Sequence, residues 1–224
     1  MHDSVWMPVE RLTPERRREL TRTALVEAAA EVFARRGFHA ASLDEIAEAA
    51  GFTRGAIYSN FGGKEDLLIA CLDLHTERQL EAFGAAIDVD KASGVSAEER
   101  TAAAASVWAA LQRESNLPAL SLEMRLYALR NPDFRRRLAA SERGHQEQIA
   151  RFIDTVARRE GRTLPVAPLD LAELLRAFSD GLSQLASIDE ERADYYDGLA
   201  VLLFAMIDKA MVEDPAAKKA KRRS

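Results

Sequence analysis

Arg54 and Tyr58 are the two side chains whose types and spacing most clearly suggest a chemical task. They lie four residues apart in the segment TRGAIYSNFGGK, residues 53–64, so a helix would place both on one face. A guanidinium in such a position can donate two hydrogen bonds to O6 and N7 of a guanine in the major groove of DNA. Gly55 and Ala56 lack bulk, which lets the helix approach the groove and lets the Ala56 methyl meet a thymine methyl. The segment is therefore predicted to contact DNA bases.

Groups that could contact phosphate surround this segment. Ser42 and Thr53 precede predicted helices, where their hydroxyls or the adjacent helix amides can bind phosphate. Both residues are also expected to cap those helices whether or not DNA is bound. Asn60 can hydrogen-bond a phosphate or an adenine, and its neighbour Ser59 completes this candidate set.

Three short helices must position these side chains. They are predicted from Pro14 to a stop at Gly37, from Ser42 to Gly51, and from Arg54 to about Phe61. Ile57 and Phe61 lie four apart and can hold the third helix against a core. Two short helices joined by a tight turn form the layout of a DNA-reading helix-turn-helix.

These residues resemble the N-terminal domain of the TetR family of bacterial transcriptional regulators. The resemblance implies that the third helix enters the major groove, that Tyr58 contacts a phosphate or a base through its hydroxyl, and that Lys64 contacts a phosphate. Asn60 departs from the pattern, because the family often has histidine or another aromatic residue there. Between Ala24 and Leu72 the matching residues are Ala30, Phe33, Gly37, Phe38, Ser42, Ile46, Ala47, Ala50, Gly51, Ile57, Tyr58, Phe61, Lys64 and Leu67.

The resemblance also implies that the remaining two-thirds of the chain hold a ligand pocket and a dimer interface. Ordinary core packing would use the same residue types, so both assignments are hypotheses. The candidate pocket residues are Trp108, Met124, Tyr127, Phe152 and Phe178, with Glu123, Arg125 and His145 as possible polar anchors. The candidate interface residues are Leu174, Phe178, Leu182, Leu199, Leu202, Leu203 and Met206.

The composition supports a helical, globular protein. The chain has 224 residues, 47% of them hydrophobic, and no strand is predicted. Its single cysteine, Cys71, excludes an internal disulfide and suits a reducing cytoplasm. No apolar run approaches the roughly 18 residues that a membrane-spanning helix needs, and the N-terminus lacks the order of a signal peptide.

The charge distribution is compatible with DNA binding despite a net charge of −5. Residues 1–64 contain nine basic and nine acidic side chains, so the excess negative charge lies entirely beyond them. Arg16, Arg17 and Arg18 cluster with other arginines at the start of the first helix. They belong either to a solvated face or to a phosphate-contacting surface.

We therefore predict an all-α protein of about nine helices that acts as a ligand-responsive, sequence-specific DNA-binding regulator, with repression as the expected mode. The expected partners are double-stranded DNA carrying a near-palindromic operator, a small and largely apolar effector, and a second copy of the chain, with no cofactor, metal or membrane. The predicted parts are a flexible N-terminus (1–12), a helix-turn-helix domain (13–64), a ligand-binding and dimerisation domain (65–212, with a connecting helix over 65–87), and a flexible basic tail (213–224).

Two other classes of protein were weighed against this one. A ligand-independent, low-specificity DNA architectural protein would use the same helices, and a helical-bundle enzyme would need an active site. Glu142 and His145 have the Glu-x-x-His spacing of di-iron bundles, but a second copy of that motif is missing from the sequence. A lone cysteine and scattered histidines also argue against a zinc site, so no enzymatic activity is expected.

Overall fold

The computed structural model describes residues 13–86, 96–113 and 117–213, and within these ranges the chain is almost entirely helical. The predicted flexible N-terminus (1–12) and residues 214–224 of the predicted basic tail lie outside the described residues. The helices are α1 (Pro14–Ala40), α2 (Leu43–Ala49), α3 (Arg54–Asn60), α4 (Lys64–Ala86), α5 (Ala97–Arg113), α6 (Leu117–Arg130), α7 (Pro132–Arg159), α8 (Pro168–Ile188) and α9 (Ala193–Ala210), with a short 3-10 turn over Glu190–Arg192. The all-α prediction is confirmed.

Local sequence signals account for the starts of the first two helices. The Thr13 hydroxyl accepts a hydrogen bond from the amide of Arg16 at 3.2 Å, and Pro14 occupies the first position of α1. Ser42 and Glu45 form the predicted capping box at the start of α2, because each side chain satisfies the other residue's free amide.

Gly37 ends the regular part of α1 as predicted, although helical structure resumes briefly to Ala40. Its φ of 75° lies in the left-handed region that favours glycine. The turn brings the ring of Phe38 back to 5.9 Å from that of Phe33, so the two aromatic side chains join one core.

One hydrophobic core joins the N-terminal helices to the helices that follow. Phe33 of α1, Ile46 of α2 and Ile57 of α3 are fully buried in it. Met124 of α6 and Phe134 of α7 belong to the same core, so these later helices pack directly against the first three. A second cluster lies further from α3 and joins α5, α8 and α9 around Trp108, Leu182, Tyr196 and Ala200.

One short β pairing departs from the purely helical prediction. Residues Arg162–Thr163 pair antiparallel with Val212–Glu213 over two residues each. The Arg162 guanidinium lies beside it, 2.5 Å from the Asp208 carboxylate and within hydrogen-bonding distance of carbonyls at the end of α9. Its charge offsets the negative end of the α9 dipole and ties the turn after α7 to the end of α9.

Among the helices described here, none is both long and apolar enough to cross a membrane.

Candidate DNA-binding face and effector cavity

The exposed face of α3 presents Arg54 and Tyr58 together. Arg54 Nη2 donates a hydrogen bond to the Tyr58 hydroxyl at 3.2 Å, and the guanidinium lies 5.6 Å from the centre of the tyrosine ring. Arg54 Nη1 is also 3.2 Å from the Asp44 carboxylate of α2. Tyr58 is 53% exposed although it is aromatic. The four-residue spacing therefore creates one polar, outward-facing group whose arginine is held by two partners.

The opposite side of α3 is fixed to the rest of the domain. Ile57 is fully buried and Phe61 nearly so. Arg18 and Arg22 of α1 donate to the carbonyls of Ser59 (3.4 Å) and Asn60 (3.0 Å), and Arg22 also lies 4.2 Å from the centre of the Phe61 ring. These arginines stabilise the carbonyl end of α3, where the helix dipole is negative.

These contacts bear on whether Arg16, Arg17 and Arg18 form a solvated face or a phosphate-contacting surface. Arg18 contacts protein rather than only solvent, whereas Arg16 pairs with Glu19 on the exposed side of α1. The four-residue spacing of Arg18 and Arg22 was the available sequence signal for a shared helix face, but it does not name the carbonyls they meet.

Lys64 is engaged inside the domain. Its ammonium donates to the carbonyls of His39 (3.2 Å) and Ala41 (2.9 Å) and lies 4.7 Å from the centre of the Phe38 ring. Partial burial lowers the pKa of Lys64, and the nearby Glu123 carboxylate opposes that shift. The lysine therefore stabilises the end of α1 in this conformation, and the phosphate contact implied by the resemblance stays a prediction.

The other side chains predicted to contact phosphate differ in whether they already make hydrogen bonds within the protein. Ser42 is engaged in its capping box. Ser59 and Asn60 donate to the carbonyl of Ala56 at 2.9 and 2.8 Å, and the buried Asn60 Oδ1 has no partner among the described residues. The prediction that Thr53 caps α3 is wrong for its side chain, which occupies the N-cap position without making a capping bond. Its exposed hydroxyl is thus unused by the helix it precedes.

A cavity of about 380 Å³ lies between α4, α5, α6, α7, α8 and α9. Trp108, Met124, Phe152 and Phe178 line it, as do the candidate anchors Arg125 and His145. Most of its remaining surface is aliphatic or aromatic. Such a volume and lining are typical of sites for small, largely apolar molecules.

Tyr127 and Glu123 lie elsewhere, which corrects the prediction that they line or anchor this pocket. The Tyr127 ring packs 5.1 Å from Phe38, and its hydroxyl donates to the Glu65 carboxylate at 2.7 Å. Glu123 Oε2 accepts the amide hydrogen of Phe38 at 2.7 Å. On α6 these two residues face α1 and α4, while Arg125 faces the cavity.

Three polar cavity residues of α8 were not predicted from the sequence: Arg176, Ser179 and Asp180. Arg125 pairs with Asp180 of α8, and Arg176 lies 3.6 Å from the same carboxylate. The Trp108 indole nitrogen donates to the Ser179 hydroxyl at 2.7 Å. Arg176 and Asp180 are four apart in sequence, which indicates a shared helix face, but a solvated face would show the same spacing.

Two histidines line the α4–α7 side of the cavity. His145 Nε2 lies 2.7 Å from Asp73 Oδ1, and the hydrogen bond from His145 lowers the pKa of that carboxyl group. Burial lowers the pKa of His75 to about 4, and the nearby charges of Arg78 and His145 add to this effect. His75 is therefore a neutral hydrogen-bonding group at neutral pH.

The predicted interface residues divide between the surface and the interior. Leu174, Leu202 and Met206 are 61%, 55% and 59% exposed, which is unusual for large apolar side chains. Phe178 is 36% exposed. Leu182 is buried beside Trp108, Leu199 is half-buried against that cluster, and Leu203 lines the cavity. Leu182 and Leu203 thus serve the interior of the subunit, since their helices turn these positions inward.

No group of three or more His, Cys, Asp or Glu side chains in the described ranges is arranged to hold a metal ion. His145, from the Glu-x-x-His motif, pairs with Asp73 instead.

The fold and the exposed face of α3 define a helix-turn-helix DNA-binding protein. Residues 25–71 match the family model of the bacterial regulatory proteins of the tetR family. This DNA-binding part of the chain matches the TetR family of bacterial transcriptional regulators.

Individual relatives agree with this assignment. The transcriptional activator FasR of Mycolicibacterium smegmatis is 43% identical over 60 residues, which is 27% of this chain and 27% of that protein. A Rhodococcus sp. protein assigned to the TetR family has a TM-score of 0.65 at 20% identity, over 84% of this chain and 98% of its own. FadR of Bacillus subtilis, solved in complex with stearoyl-CoA, has a TM-score of 0.56 at 20% identity, over 81% and 96% of the two chains.

The matches at 43–50% identity cover only 23–28% of this chain, whereas the regulator YfiR of Bacillus subtilis is 27% identical over 192 residues. The curated relatives with high local identity are matched over only 25–39% of their own length. The structural likeness extends over the whole helical body, at identities that define the fold alone.

Proposed function

We propose that this protein is a homodimeric, ligand-responsive repressor that binds a near-palindromic operator. Residues 13–64 contact the DNA, whereas residues 65–212 bind the effector and the second subunit. The observation that carries the DNA-binding part is the outward pair of Arg54 and Tyr58 on a helix whose other side is buried through Ile57. Such a helix can present a bidentate guanine ligand to the major groove without moving the core.

The two faces of α6 support the proposed response to a ligand. Arg125 and Met124 line the cavity. On the other face of the helix, Glu123 accepts the amide hydrogen of Phe38 in α1, and Tyr127 donates to Glu65 in the first turn of α4. A ligand that displaces α6 therefore also displaces the end of α1 and the start of α4. It shifts the two subunits towards a non-binding arrangement only to the extent that it binds that arrangement better.

Contacts between α4 and α7 provide a second link. Arg137 of α7 pairs with Glu65 and Asp66 in the first turn of α4, and His145 pairs with Asp73 about two turns further on. Since α4 also begins shortly after α3, these contacts support the predicted role of α4 as the connecting helix.

A small-molecule effector is also supported by fold. FadR of B. subtilis, which has a related fold, was solved with stearoyl-CoA. At 20% identity that likeness does not transfer the ligand, so the chemistry of the effector has to be inferred from this chain's own cavity.

Selection of bound sequences from random DNA tests the proposed DNA specificity. Wild-type protein is expected to enrich an inverted repeat, and Arg54→Ala to lose roughly fivefold to a hundredfold in affinity for it while preferring its central bases less. Arg151→Ala is the matched control, since it removes an exposed arginine of α7 that pairs with Glu147 far along the chain from α3. Enrichment of no motif, or equal behaviour of both variants, contradicts the proposal.

A reporter placed behind the selected operator tests the direction of regulation. Repression predicts higher reporter output when the protein is removed. Lower output on removal identifies an activator instead and leaves the DNA-binding proposal intact.

A further inference from the structure

We propose that the effector is an elongated amphiphile with an uncharged, hydrogen-bonding head, bound with the head at the α4–α6 end of the cavity and the apolar body extending towards the far end of α7. This inference rests on the proposed function, because it names the ligand class of the same cavity.

The charged cavity residues form one mutually compensating group, in which the Glu142 carboxylate also attracts Arg176. Asp180 accepts from Arg125 and lies 3.6 Å from Arg176, while Arg176 also pairs with Glu173 at 3.0 Å. The buried amide of Gln146, when its nitrogen is oriented towards the carbonyl of Ala172, accepts from Arg176 Nε at 3.2 Å. A carboxylate ligand would have to displace Asp180 from these guanidinium groups and leave it without its partners.

The uncharged polar residues on α4 are, in contrast, unpaired. Among the described residues, His75, Thr76 and Gln79 line the cavity, and none of their side chains makes a hydrogen bond. Thr76 is only 6% exposed and lines the cavity, so a molecule in the cavity is the partner its hydroxyl can meet. Together they offer both donors and acceptors on one side of α4, which matches a ligand hydroxyl, ester or amide. A charged head would gain no opposite charge from these three residues.

The cavity is apolar away from this end. Along α7 the lining changes from Glu142 and His145 to Phe152, Val156 and Ala157. At 1.5 Å per residue, the stretch from 142 to 157 is about 22 Å long. A polar head and an apolar chain are therefore complementary to the two ends of one elongated site.

The orientation follows from the position of α7. Its first turns lie against the start of α4, where Arg137 pairs with Glu65 and Asp66. The polar end of the cavity is thus the end nearer to the DNA-binding helices. It is also the end lined by Ser121 and Arg125 of α6.

Three probes of equal chain length test the head group: 1-dodecanol below its solubility limit, and dodecanoate and dodecylammonium below the concentrations at which they form micelles. Binding is measured by quenching of Trp108 fluorescence in a Trp6→Phe background, because Trp108 lines the cavity and the chain contains only two tryptophans. We expect the alcohol to bind at least about tenfold more tightly than either ion, since an unpaired charge is costly to bury.

Two variants test the position of the head. Thr76→Val preserves the shape of the side chain and His75→Leu removes the imidazole, and each is expected to weaken dodecanol binding roughly two- to tenfold. Val156→Ala is the control at the apolar end: it is expected to affect all three probes alike. Circular dichroism confirms that each variant is folded.

The outcomes separate this inference from the proposed function. Equal or tighter binding of dodecanoate or dodecylammonium overturns it, as does absence of binding by all three probes, whether or not the operator is bound. Dodecanol that binds but leaves operator affinity unchanged supports the ligand class and contradicts the proposed response. Loss of operator binding in ligand-free protein contradicts only the DNA-binding proposal.

Discussion

At the scale of single residues, the prepared geometry of Arg54 is the main finding. The guanidinium is held by Tyr58 on its own helix and by Asp44 on α2, so its orientation is set before DNA arrives. Asp44 was absent from the residues selected by sequence analysis. The ten-residue separation of these oppositely charged side chains carries no helical spacing signal, and only the crossing of α2 and α3 brings them together.

We predict that Asp44→Asn lowers base discrimination while raising affinity for random DNA. Loss of the carboxylate leaves Arg54 freer to bind any phosphate and removes a negative charge from the DNA-facing side. Titration against the operator and against random DNA at several salt concentrations measures both effects. Glu48→Gln is the control, because it removes an equal charge from α2 that is not paired with Arg54. A matching loss of discrimination in that variant would exclude the role assigned to Asp44.

The second residue-scale prediction concerns pH and His75. Burial lowers the pKa of this group in the folded state from 6.5 to about 4. Between these two values the unfolded chain binds the proton more readily, so folded-state stability falls as pH falls from about 6.5 towards 4. The loss is at most about 3 kcal/mol, and less because solvent reaches part of the ring.

Chemical denaturation of wild type and His75→Leu across this pH range measures that component. The stability difference between the two proteins is expected to shift in favour of the variant as the solution is acidified. Parallel pH profiles would show that the imidazole is solvated in the folded protein.

At the scale of elements, the contact between the end of α1 and α6 links the two parts of the molecule. Gly37 allows α1 to turn, and the carboxylate of Glu123 in α6 then accepts the amide hydrogen of Phe38. The positive φ of 75° favours glycine here, and a Cβ would also have to push the Glu123 carboxylate aside. The resemblance identified the glycine, whereas its partner depends on how α6 packs.

Gly37→Ala is therefore expected to destabilise the protein. The left-handed backbone alone costs about 1–2 kcal/mol for a residue with a Cβ, and displacement of Glu123 adds to it. This corresponds to a fall in Tm of several degrees, measurable by thermal unfolding.

Gly144→Ala is the matched control for that experiment. Gly144 lies within α7, and a Cβ added there meets nothing within 4 Å. Alanine should raise stability by up to about 1 kcal/mol, because it reduces the freedom of the unfolded chain. If the two substitutions changed Tm equally, Gly37 would have no special role.

At the scale of the whole molecule, the outer surfaces of α8 and α9 are candidates for contact with a second copy. Leu174 on α8 and Leu202 and Met206 on α9 are more than half exposed. Two such faces from each subunit would form a four-helix arrangement across a two-fold axis, which also matches an inverted-repeat operator. Leu203 is not suited to a test of this interface, because it lines the cavity.

Leu202→Glu is predicted to convert the dimer to monomers, since four apolar helices would have to bury two carboxylates at their contact. Sedimentation at micromolar concentration measures the state directly. Leu129→Glu is the control: it changes a leucine that is 70% exposed on α6 and should leave the dimer intact. If the Leu202→Glu variant remains a dimer, the interface between the subunits lies on another face.

The sequence by itself determined the helical class, the boundaries of the helix-turn-helix and the polar face of α3. These follow from local physics: capping residues, a glycine turn and the 3.6-residue period act over a few neighbouring positions. Only the tertiary structure decided that Arg18, Arg22 and Lys64 bond backbone carbonyls, that Tyr127 faces α1 and α4 instead of the cavity, and that Leu182 and Leu203 point inward. An apolar stripe or a charged side chain specifies a helix face but not what that face meets, because the partner lies tens of residues away and is chosen by the packing of the whole chain.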